Sequence, residues 1–444
     1  MKSLFSDPEL EGLAPEEQTF KHRSGSVYSS AALISGTTIG AGILALPAVT
    51  LPVGVLPSTA VMLGAWLYMV VSGLLIAEAN LQAMRQTGRT DLGLLATIQD
   101  SLGKGGAAVA GVAYIFIHYA LLVAYVARGG DILATGLARV SRAVGWLPSV
   151  SPSVLLSGSL SVPLWWGHVA FAVLLGSFLY VSSERWIGWI NSALVVIAIA
   201  AFASLLLLVA GQADIANLEP QHWENASAVI PVMFVAFVYQ NVVPVVARQL
   251  NGDDQKVRQS IWIGAAVPLV MFALWNAVIL AAIPLSVQSL YLNEGASGVL
   301  LDPVELLRVG ATDVRLGAAI SIFSELAIAT SFIGFVFGLL SVFQDIFAST
   351  TIGRSEKPIS YLLVFLPPLL FSFLDPNLFF AAIDYAGAFG NSVLFGIIPA
   401  LMVWKLRDSS SPLVPGGKGL LIGMIVIAVS VIVQNVWLKL SAFS

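Results

Sequence analysis

Seven consecutive residues near the start of the chain place three glycines and two threonines inside a long apolar segment. Glycine in a helix interior costs about 1 kcal/mol relative to alanine, so three glycines this close together favour a break in the helix. At a break, the first N–H groups of the second helix attract a carboxylate, and the last carbonyls of the first helix suit an ammonium group. The sequence therefore predicts a site for an α-amino acid at Gly36-Thr37-Thr38-Ile39-Gly40-Ala41-Gly42.

The same glycines also fit a second interpretation, which is close packing of two membrane helices. Gly36 and Gly40 have the spacing that lets two helix backbones approach each other. A second interruption favours the binding-site interpretation, because Pro231 and Pro244 lie in one apolar segment and proline removes a backbone donor. The residues at this second break are candidates for the same site: Phe237, Tyr239, Gln240 and Asn241.

The composition of the chain is that of a membrane protein. Of its 444 residues, 57% are apolar and 10% are charged, whereas soluble domains carry about 25% charged residues. The net charge of −4 and the lack of a basic stripe argue against a nucleic-acid partner. The absence of cysteine excludes thiol catalysis and cysteine metal sites. We expect no cofactor and no metal, and membrane lipid around the chain.

Segments of about 20 mainly apolar residues predict helices that cross a membrane. The chain contains eleven such segments, which predict an all-α integral membrane protein. Residues 1–26 are then a cytoplasmic tail, 27–210 and 211–404 are two halves of five helices each, and 405–444 contain a loop and an extra eleventh helix. The predicted helices are 27–50, 56–79, 106–128, 166–182, 186–210, 227–247, 259–283, 317–347, 359–374, 378–404 and 419–438.

The orientation follows from Lys and Arg, which are enriched in cytoplasmic loops. A cytoplasmic N-terminus leaves few of the 21 Lys and Arg residues outside, namely Arg128, Arg139, Arg142, Arg308, Arg315 and Lys439. The polar N-terminal stretch lacks the pattern of a signal peptide. We therefore expect a multi-pass protein in the cytoplasmic (inner) membrane of a bacterial-type cell, with the N-terminus in the cytoplasm.

The first and sixth predicted helices occupy corresponding positions in the two halves. Because five is odd, the two halves cross the membrane in opposite directions, which is the topology of an inverted repeat. Interrupted helices in corresponding positions mark the substrate site of transporters built in this way. The topology thus predicts a five-plus-five inverted repeat, with helices 1 and 6 broken at the site.

Ionisable and hydroxyl side chains inside the predicted helices are candidates for ion coupling. His118 can carry a proton, or it can donate as a neutral ring to a nearby carbonyl. Glu325 lies either in the bilayer or in a wet outer vestibule, and Asp384 is shallower. Thr330 and Ser331 can bind a substrate or an ion, or can back-bond to carbonyls of their own helix.

Two further groups of residues are weaker candidates. Glu78 and Asp345 lie at cytoplasmic helix ends, where they can act in a gate or anchor a loop by pairing with Arg85, Arg248 or Arg354. Aromatic residues can line the pocket, although most aromatic residues in such a chain only pack. The aromatic candidates are Tyr119, Phe234, Phe237, Tyr239, Phe332 and Phe335.

Several motifs, in the right order between about 27 and 407, resemble one known family. This is the hydroxy/aromatic amino acid permease family, which includes the bacterial tyrosine and tryptophan permeases and belongs to the amino acid–polyamine–organocation superfamily. The motifs are Gly36-Thr-Thr-Ile-Gly-Ala-Gly-Ile-Leu-Ala-Leu-Pro47, Ala124-Tyr125 with Gly129-Gly130, Leu326-Ala-Ile-Ala-Thr-Ser-Phe-Ile-Gly-Phe-Val-Phe-Gly-Leu340, Phe365-Leu-Pro-Pro-Leu-Leu-Phe371 and Tyr385-Ala-Gly387.

The resemblance implies the five-plus-five fold and symport of an amino acid, usually with protons. It implies that the N–H groups of Ala41 and Gly42 hold the substrate carboxylate, and that carbonyls around Ile39 and the Phe237–Tyr239 break hold the ammonium group. In sodium-coupled relatives of this fold, hydroxyls placed like Thr330-Ser331 help to hold sodium. The chain departs from the family at Gln240, where histidine is common, and near Ser341, where an acidic residue is common.

The expected function is proton-coupled import of an aromatic amino acid (tyrosine, tryptophan or phenylalanine) by alternating access. The alternative is a neutral or branched-chain amino acid permease of the same fold, for which sodium is a candidate driving ion. An intramembrane enzyme is a remote third reading, because no helix carries a converging set of acids, bases or metal ligands.

Overall fold

The protein was analysed as a computed structural model that describes residues 26–40, 42–89, 92–143, 165–288, 314–348, 356–374, 378–406 and 412–441. These residues are helical, and they contain no β-strand. Each of the eleven predicted segments overlaps one or more of the helices, and the first and sixth segments are broken. Almost all of the predicted tail 1–26 lies outside the described residues, as do Ala41 and Arg354.

The helices in the first half of the chain are α1 (Val27–Thr38), α2 (Gly42–Thr50), α3 (Val55–Thr87), α4 (Leu94–Ala143), α5 (Trp165–Val181) and α6 (Glu184–Ala210). After two short 3₁₀ helices, Ile215–Leu218 and Trp223–Val229, follow α7 (Ile230–Ala236), a 3₁₀ turn at Gln240–Val242, α8 (Val243–Gln249), α9 (Asp254–Ala282), α10 (Val314–Ala348) and α11 (Glu356–Phe371). The chain then forms α12 (Leu378–Tyr385), a π-helix (Ala386–Ile397), α13 (Ile398–Leu406) and α14 (Gly417–Ser441).

Among the described residues, eight helices are long and apolar enough to cross a membrane, and the bent pair α1 and α2 makes up to nine. Two shorter apolar helices, Trp165–Val181 and Lys357–Phe371, correspond to the fourth and ninth predicted segments. The fold class is confirmed as an all-α integral membrane protein, while the count of eleven crossings stays a prediction.

The third predicted helix, 106–128, was too short. Its counterpart α4 begins at Leu94 and bends at Gly103, whose φ of 79° lies in the left-handed region. Glycine adopts this conformation without the clash that a Cβ would cause. The residues before Gly103 form a separate short helix, whose Leu94 and Ile98 are buried in the core, and the helix after Gly103 continues past residue 128 to Ala143.

Both predicted helix breaks are present. The axis turns by 55° between α1 and α2, and residues 39–41 separate the two helices. The second break follows Ala236, where Phe237 ends α7 and three residues precede the 3₁₀ turn at Gln240–Val242. Irregular backbone at membrane depth must be buried in protein or line a cavity. Each break is therefore a place where a cavity is expected.

Prolines inside the helices explain several contacts between them. A proline has no N–H, so the carbonyl four residues earlier loses its donor. At four such places the carbonyl accepts a hydrogen bond from a side chain of another helix. Trp275 Nε1 donates to the Ile43 carbonyl (3.0 Å), four residues before Pro47, and Ser35 Oγ donates to the Gly264 carbonyl (2.7 Å), four residues before Pro268. In the same way, Tyr119 Oη donates to the Leu363 carbonyl (2.7 Å), before Pro367, and Ser72 Oγ donates to the Phe395 carbonyl, before Pro399.

We expect Trp275→Phe to destabilise the protein, because it keeps a buried ring but leaves the Ile43 carbonyl without a donor. A buried acceptor left unsatisfied costs roughly 1–3 kcal/mol. The measurement is thermal unfolding in detergent, where the variant should melt at a lower temperature than the unmodified protein. Trp223→Phe is the control, since Trp223 is exposed. An equal effect of the two substitutions would contradict the role given to the indole N–H.

Candidate functional site

A cavity of about 470 Å³ lies where the two interrupted helices meet α4, α6, α10 and the π-helix. This volume is within the usual range of small-molecule sites. None of the lining residues is Asp, Glu, Lys or Arg. The cavity is lined by Ala32, Leu33, Gly36, Thr37, Thr38, Ile39, Gly40, Gly42, Tyr114, Ile117, His118, Tyr125, Asn191, Val195, Val235, Val238, Asn241, Val242, Thr330, Ser331, Gly334, Phe335, Leu394 and Phe395.

The residues predicted from the sequence fall into two groups. Ten of them line the cavity: Gly36, Thr37, Thr38, Ile39, Gly40, Gly42, His118, Asn241, Thr330 and Ser331. Phe237, Tyr239, Gln240, Tyr119 and Glu325 do not line it, and Ala41 lies outside the described residues.

The first break exposes backbone groups of both polarities to the cavity. The last carbonyls of α1 and the first N–H groups of α2 have no partners within their own helices, as at every helix end. The Ile39 N–H donates to the Ser35 carbonyl (2.9 Å), and the Ile43 N–H donates to the Gly40 carbonyl (3.2 Å). Thr37 and Thr38 bond through Oγ1 to carbonyls of their own helix, each at 2.8 Å. Their hydroxyls are thus occupied, and the backbone supplies the polar surface.

Two glycines at this break lie against other helices. A Cβ added at Gly40 would lie 2.5 Å from Ser331 Oγ of α10, and one at Gly42 would lie 3.1 Å from Ala236 Cα of α7. Gly42 therefore lets the start of α2 approach the end of α7. This contact brings the two broken helices together at the cavity.

At the second break, Asn241 lines the cavity, whereas the Phe237, Tyr239 and Gln240 side chains, also predicted for the site, face away from it. Tyr239 Oη and Gln240 Nε2 both donate to the Met69 carbonyl of α3, at 3.2 and 3.1 Å. Gln240 Oε1 also accepts the N–H of Tyr239 (2.9 Å). Phe237 packs on Phe272, with ring centroids 5.3 Å apart. These residues hold the broken backbone against α3 and α9, because its freed polar groups need partners inside the protein.

The predicted aromatic pocket is only partly present. Of the candidates, Phe335 alone lines the cavity. Phe234 stacks on Tyr68 at 4.9 Å, and Phe332 packs against Phe171 and Phe365. Those rings fill the spaces between helices rather than facing the cavity.

His118 is buried and lines the cavity from α4. Its Nδ1 lies 2.8 Å from the Tyr114 carbonyl, and because a carbonyl only accepts, Nδ1 carries the hydrogen in this contact. The ring stacks on Tyr114 (3.9 Å), and Nε2 lies close to Gly338 of α10, where an added Cβ would be 2.5 Å away. A second proton on the imidazole ring would therefore bind at Nε2.

Thr330 and Ser331 differ in how their hydroxyls are used. Thr330 Oγ1 back-bonds to Leu326 and Ala327, at 2.9 and 3.2 Å. Ser331 forms a hydrogen bond with the Tyr125 side chain and lies beside Gly40. Both residues line the cavity next to the end of α1.

The other polar candidates lie elsewhere. Glu325 is exposed and does not line the cavity. Tyr119 Oη donates to the Leu363 carbonyl of α11, which has no helical donor because Pro367 lacks an N–H. Glu78 is buried and accepts the N–H of Leu413 (2.9 Å), whereas Arg85 pairs with Asp254. Asp384 binds Asn435 (3.0 Å) and Lys439 (3.2 Å) of α14. The side chain of Asp345 lies outside the described part of the chain.

Sequence reasoning did not select Tyr114, Tyr125, Asn191 or Phe395 as site residues, although all four line the cavity. A signal was present for two of them. Tyr114 precedes His118 by one helical turn, so the two residues share a face of α4. Tyr125 belongs to a motif that resembles the family. No comparable signal pointed to Asn191 or Phe395.

The cavity offers backbone dipoles, hydroxyls, a histidine and aromatic rings. It has no catalytic acid–base pair among its lining residues, and no cluster of three His, Asp or Glu side chains suited to a metal occurs in the described segments. The arrangement can bind a small molecule that carries both a carboxylate and an ammonium group, next to an apolar wall.

Comparison with known proteins finds relatives along almost the whole chain. The chain is 30% identical to the tyrosine-specific transport system 1 of Haemophilus influenzae, over 90% of this chain and 94% of the relative. It is also 30% identical to the tryptophan-specific transport protein of Pseudomonas aeruginosa, over 88% and 89% of the two chains. The crystal structure of MhsT in complex with L-phenylalanine has the same fold, with a TM-score of 0.60 at 15% identity, covering 91% and 96%.

A family model for tryptophan/tyrosine permeases matches residues 23–437, which is nearly the whole chain. The relatives are transport proteins rather than enzymes, and the apolar helices make the chain an integral, multi-pass membrane protein. The protein belongs to the tryptophan/tyrosine permease family.

Proposed function

We propose that this protein is a secondary active transporter that imports an aromatic amino acid (tyrosine, tryptophan or phenylalanine) by proton symport with alternating access. The observation that carries the proposal is the cavity at the α1–α2 break, in a chain that belongs to this family. The cavity presents free backbone groups of both polarities at one point, which is what an α-amino acid requires.

The carboxylate binds at the start of α2. The first N–H groups of this helix, beginning with that of Gly42, have no acceptors within the helix, and the helix dipole adds positive potential at this end. Anions bind well at such a terminus. Because no Lys or Arg lines the cavity, the backbone is the source of positive potential for the carboxylate.

The ammonium group binds at helix ends of the opposite polarity. The last carbonyls of α1, near Thr38 and Ile39, and those at the end of α7, near Ala236, carry the negative ends of the two helix dipoles. The Gly42–Ala236 contact places both helix ends beside the start of α2. The two ends of a zwitterion are therefore bound by neighbouring backbone segments.

The substrate side chain extends along the aromatic wall between α4 and α10. Tyr114, Tyr125 and Phe335 line this wall together with His118, which touches both Tyr114 and Phe335. Aromatic rings attract one another in offset and edge-to-face arrangements. The names of the relatives and of the structural neighbour support this choice of side chain, since they refer to tyrosine, tryptophan and L-phenylalanine.

Alternating access is supported by a second cavity of about 590 Å³ that shares Asn191 and Gly334 with the first. It extends to Ser182, at the end of α5, and to Lys357, at the start of α11. With the proposed cytoplasmic N-terminus, both ends lie on the cytoplasmic side. The second cavity is then the route by which the substrate leaves toward the cytoplasm. This route requires that the protein lie in the inner membrane, surrounded by lipid.

Proton coupling is assigned to His118, which lines the substrate cavity with Nε2 on the side of α10. The second candidate function is sodium-coupled transport of a neutral or branched-chain amino acid. The observation that favours it is the placement of the Thr330 and Ser331 hydroxyls beside the end of α1. The two candidates differ in the ion that drives uptake and in the side chain that is selected.

Reconstituted vesicles test both points. Competition against one labelled aromatic amino acid by all the common amino acids should rank tyrosine, tryptophan and phenylalanine first. In sodium-free buffer, adding the substrate outside should acidify the vesicle lumen. A ranking led by small neutral or branched-chain amino acids, or uptake that requires sodium without a pH change, would decide for the second candidate.

A further inference from the structure

The π-helix Ala386–Ile397 is the most unusual element of the described chain. It runs for 12 residues, whereas most π-helices are single turns inside an α-helix and often occur at functional sites. In its middle lies Asn391, which is 1% exposed. Neither the oxygen nor the nitrogen of its amide has a hydrogen-bond partner among the residues that the structure describes. Burying both polar atoms unpaired destabilises a protein, so the arrangement calls for an explanation.

Contacts on either side of Asn391 place it at the depth of the cavity. The preceding residue, Gly390, packs directly against Ile117 of α4, which lines the cavity. Gly387 packs against the Pro231 carbonyl at the start of α7. The π-helix and α7 run side by side from that contact. Asn391 therefore lies beside the first half of the second broken helix.

The helical register directs Asn391 toward the cavity side. In a π-helix, residues four and five apart lie on nearly the same face, because hydrogen bonds join residues five apart. Phe395, four residues after Asn391, lines the cavity. The amide thus lies one turn beyond the Phe395 ring, at the edge of the apolar wall. Asn391 does not itself line the cavity, so the inference requires that the Phe395 ring move aside when the substrate binds.

Resting on the function proposed above, we propose that Asn391 is a specificity residue that binds the polar group at the tip of the substrate side chain. Its Oδ1 accepts a hydrogen bond from the hydroxyl of tyrosine or from the indole N–H of tryptophan, and phenylalanine offers neither donor. The unpaired Oδ1 then gains a hydrogen-bond donor when such a substrate is bound. A site built to hydrogen-bond a substrate discriminates strongly against the analogue that lacks the group.

Asn391→Leu tests this inference, since leucine has a similar volume and no polar atoms. Inhibition constants for tyrosine, phenylalanine, tryptophan and 2-naphthylalanine are measured against labelled phenylalanine uptake in vesicles. The unmodified protein should prefer tyrosine over phenylalanine and tryptophan over 2-naphthylalanine by about tenfold, and the variant should lose both preferences. Its melting temperature without substrate should be equal or higher, because the unsatisfied groups are gone.

Ser392→Ala is the matched control. Ser392 is the next residue in the same π-helix, is also buried, and bonds to the Gly387 carbonyl (3.3 Å). It should retain both preferences. If Asn391→Leu does not reach the membrane, Asn391→Ala is measured by the thermal shift that each ligand induces.

Unchanged preferences in the Asn391 variants, or an unmodified protein that binds phenylalanine as tightly as tyrosine, would overturn the inference. An unmodified protein that transports no aromatic amino acid would overturn the proposed function first, and this outcome is distinct because it is seen before any variant is made.

Discussion

Gly42→Val should abolish uptake and leave insertion into the membrane intact. The added Cβ would lie 3.1 Å from Ala236 Cα, and valine carries two further carbons beyond it. The neighbour is backbone and cannot rotate away, so the start of α2 must move from the end of α7. A displacement of this kind changes the geometry of the carboxylate site, and misplacement by roughly 1 Å is enough to cost about a hundredfold in rate.

The measurement is initial uptake of labelled tyrosine or tryptophan, normalised to the amount of protein in the membrane. Gly64→Val is the matched control, because Gly64 is exposed on α3 and an added Cβ meets nothing within 4 Å. Gly42→Ala should give an intermediate rate, since only the Cβ contact is introduced. Normal uptake by Gly42→Val would show that the substrate does not bind at the α1–α2 break.

His118→Leu should uncouple transport from the pH gradient. In the structure, His118 Nδ1 donates to the Tyr114 carbonyl, and the proposed proton site is Nε2, on the side of α10. Leucine has no atom that can take a proton. The variant should therefore lose accumulation driven by an acidic exterior, while exchange of labelled for unlabelled substrate continues because exchange needs no net proton movement.

Two comparisons separate this result from a loss of folding and from sodium coupling. His222→Asn changes a loop histidine that contacts Glu224 (3.3 Å), and it should leave coupling unchanged. Thr330→Val removes a hydroxyl beside the same cavity. If Thr330→Val abolishes accumulation in the presence of sodium while His118→Leu accumulates normally, coupling is to sodium and the assignment of His118 is wrong.

The positions of the breaks were predictable because they depend on local backbone chemistry. Glycine at 36, 40 and 42, and proline at 231 and 244, weaken a helix wherever it packs. The general nature of the site followed from the same fact, since a broken helix presents free N–H and carbonyl groups. The family was recognisable from motifs in several helices, one of which is the glycine-rich segment at the first break.

The direction of individual side chains was not predictable in the same way. Tyr119 and Gln240 are polar residues at membrane depth, and the sequence offered two partners for each, a ligand or another part of the protein. In the structure Tyr119 bonds to Leu363, four residues before Pro367, and Gln240 bonds to Met69. Both satisfy backbone carbonyls, which is the commoner need in a protein interior where every polar group requires a partner.

The sequence by itself determined that this chain crosses a membrane many times and that two of its helices are broken, and it predicts a zwitterion site at the first break. Composition and the local effects of glycine and proline are sufficient for these conclusions. Only the tertiary structure decided which side chains line the cavity. Helix rotation and tilt depend on packing against neighbouring helices, so the inward direction of Tyr114 and Tyr125, and the burial of Asn391 one turn beyond Phe395, depend on contacts between segments that are distant in the sequence.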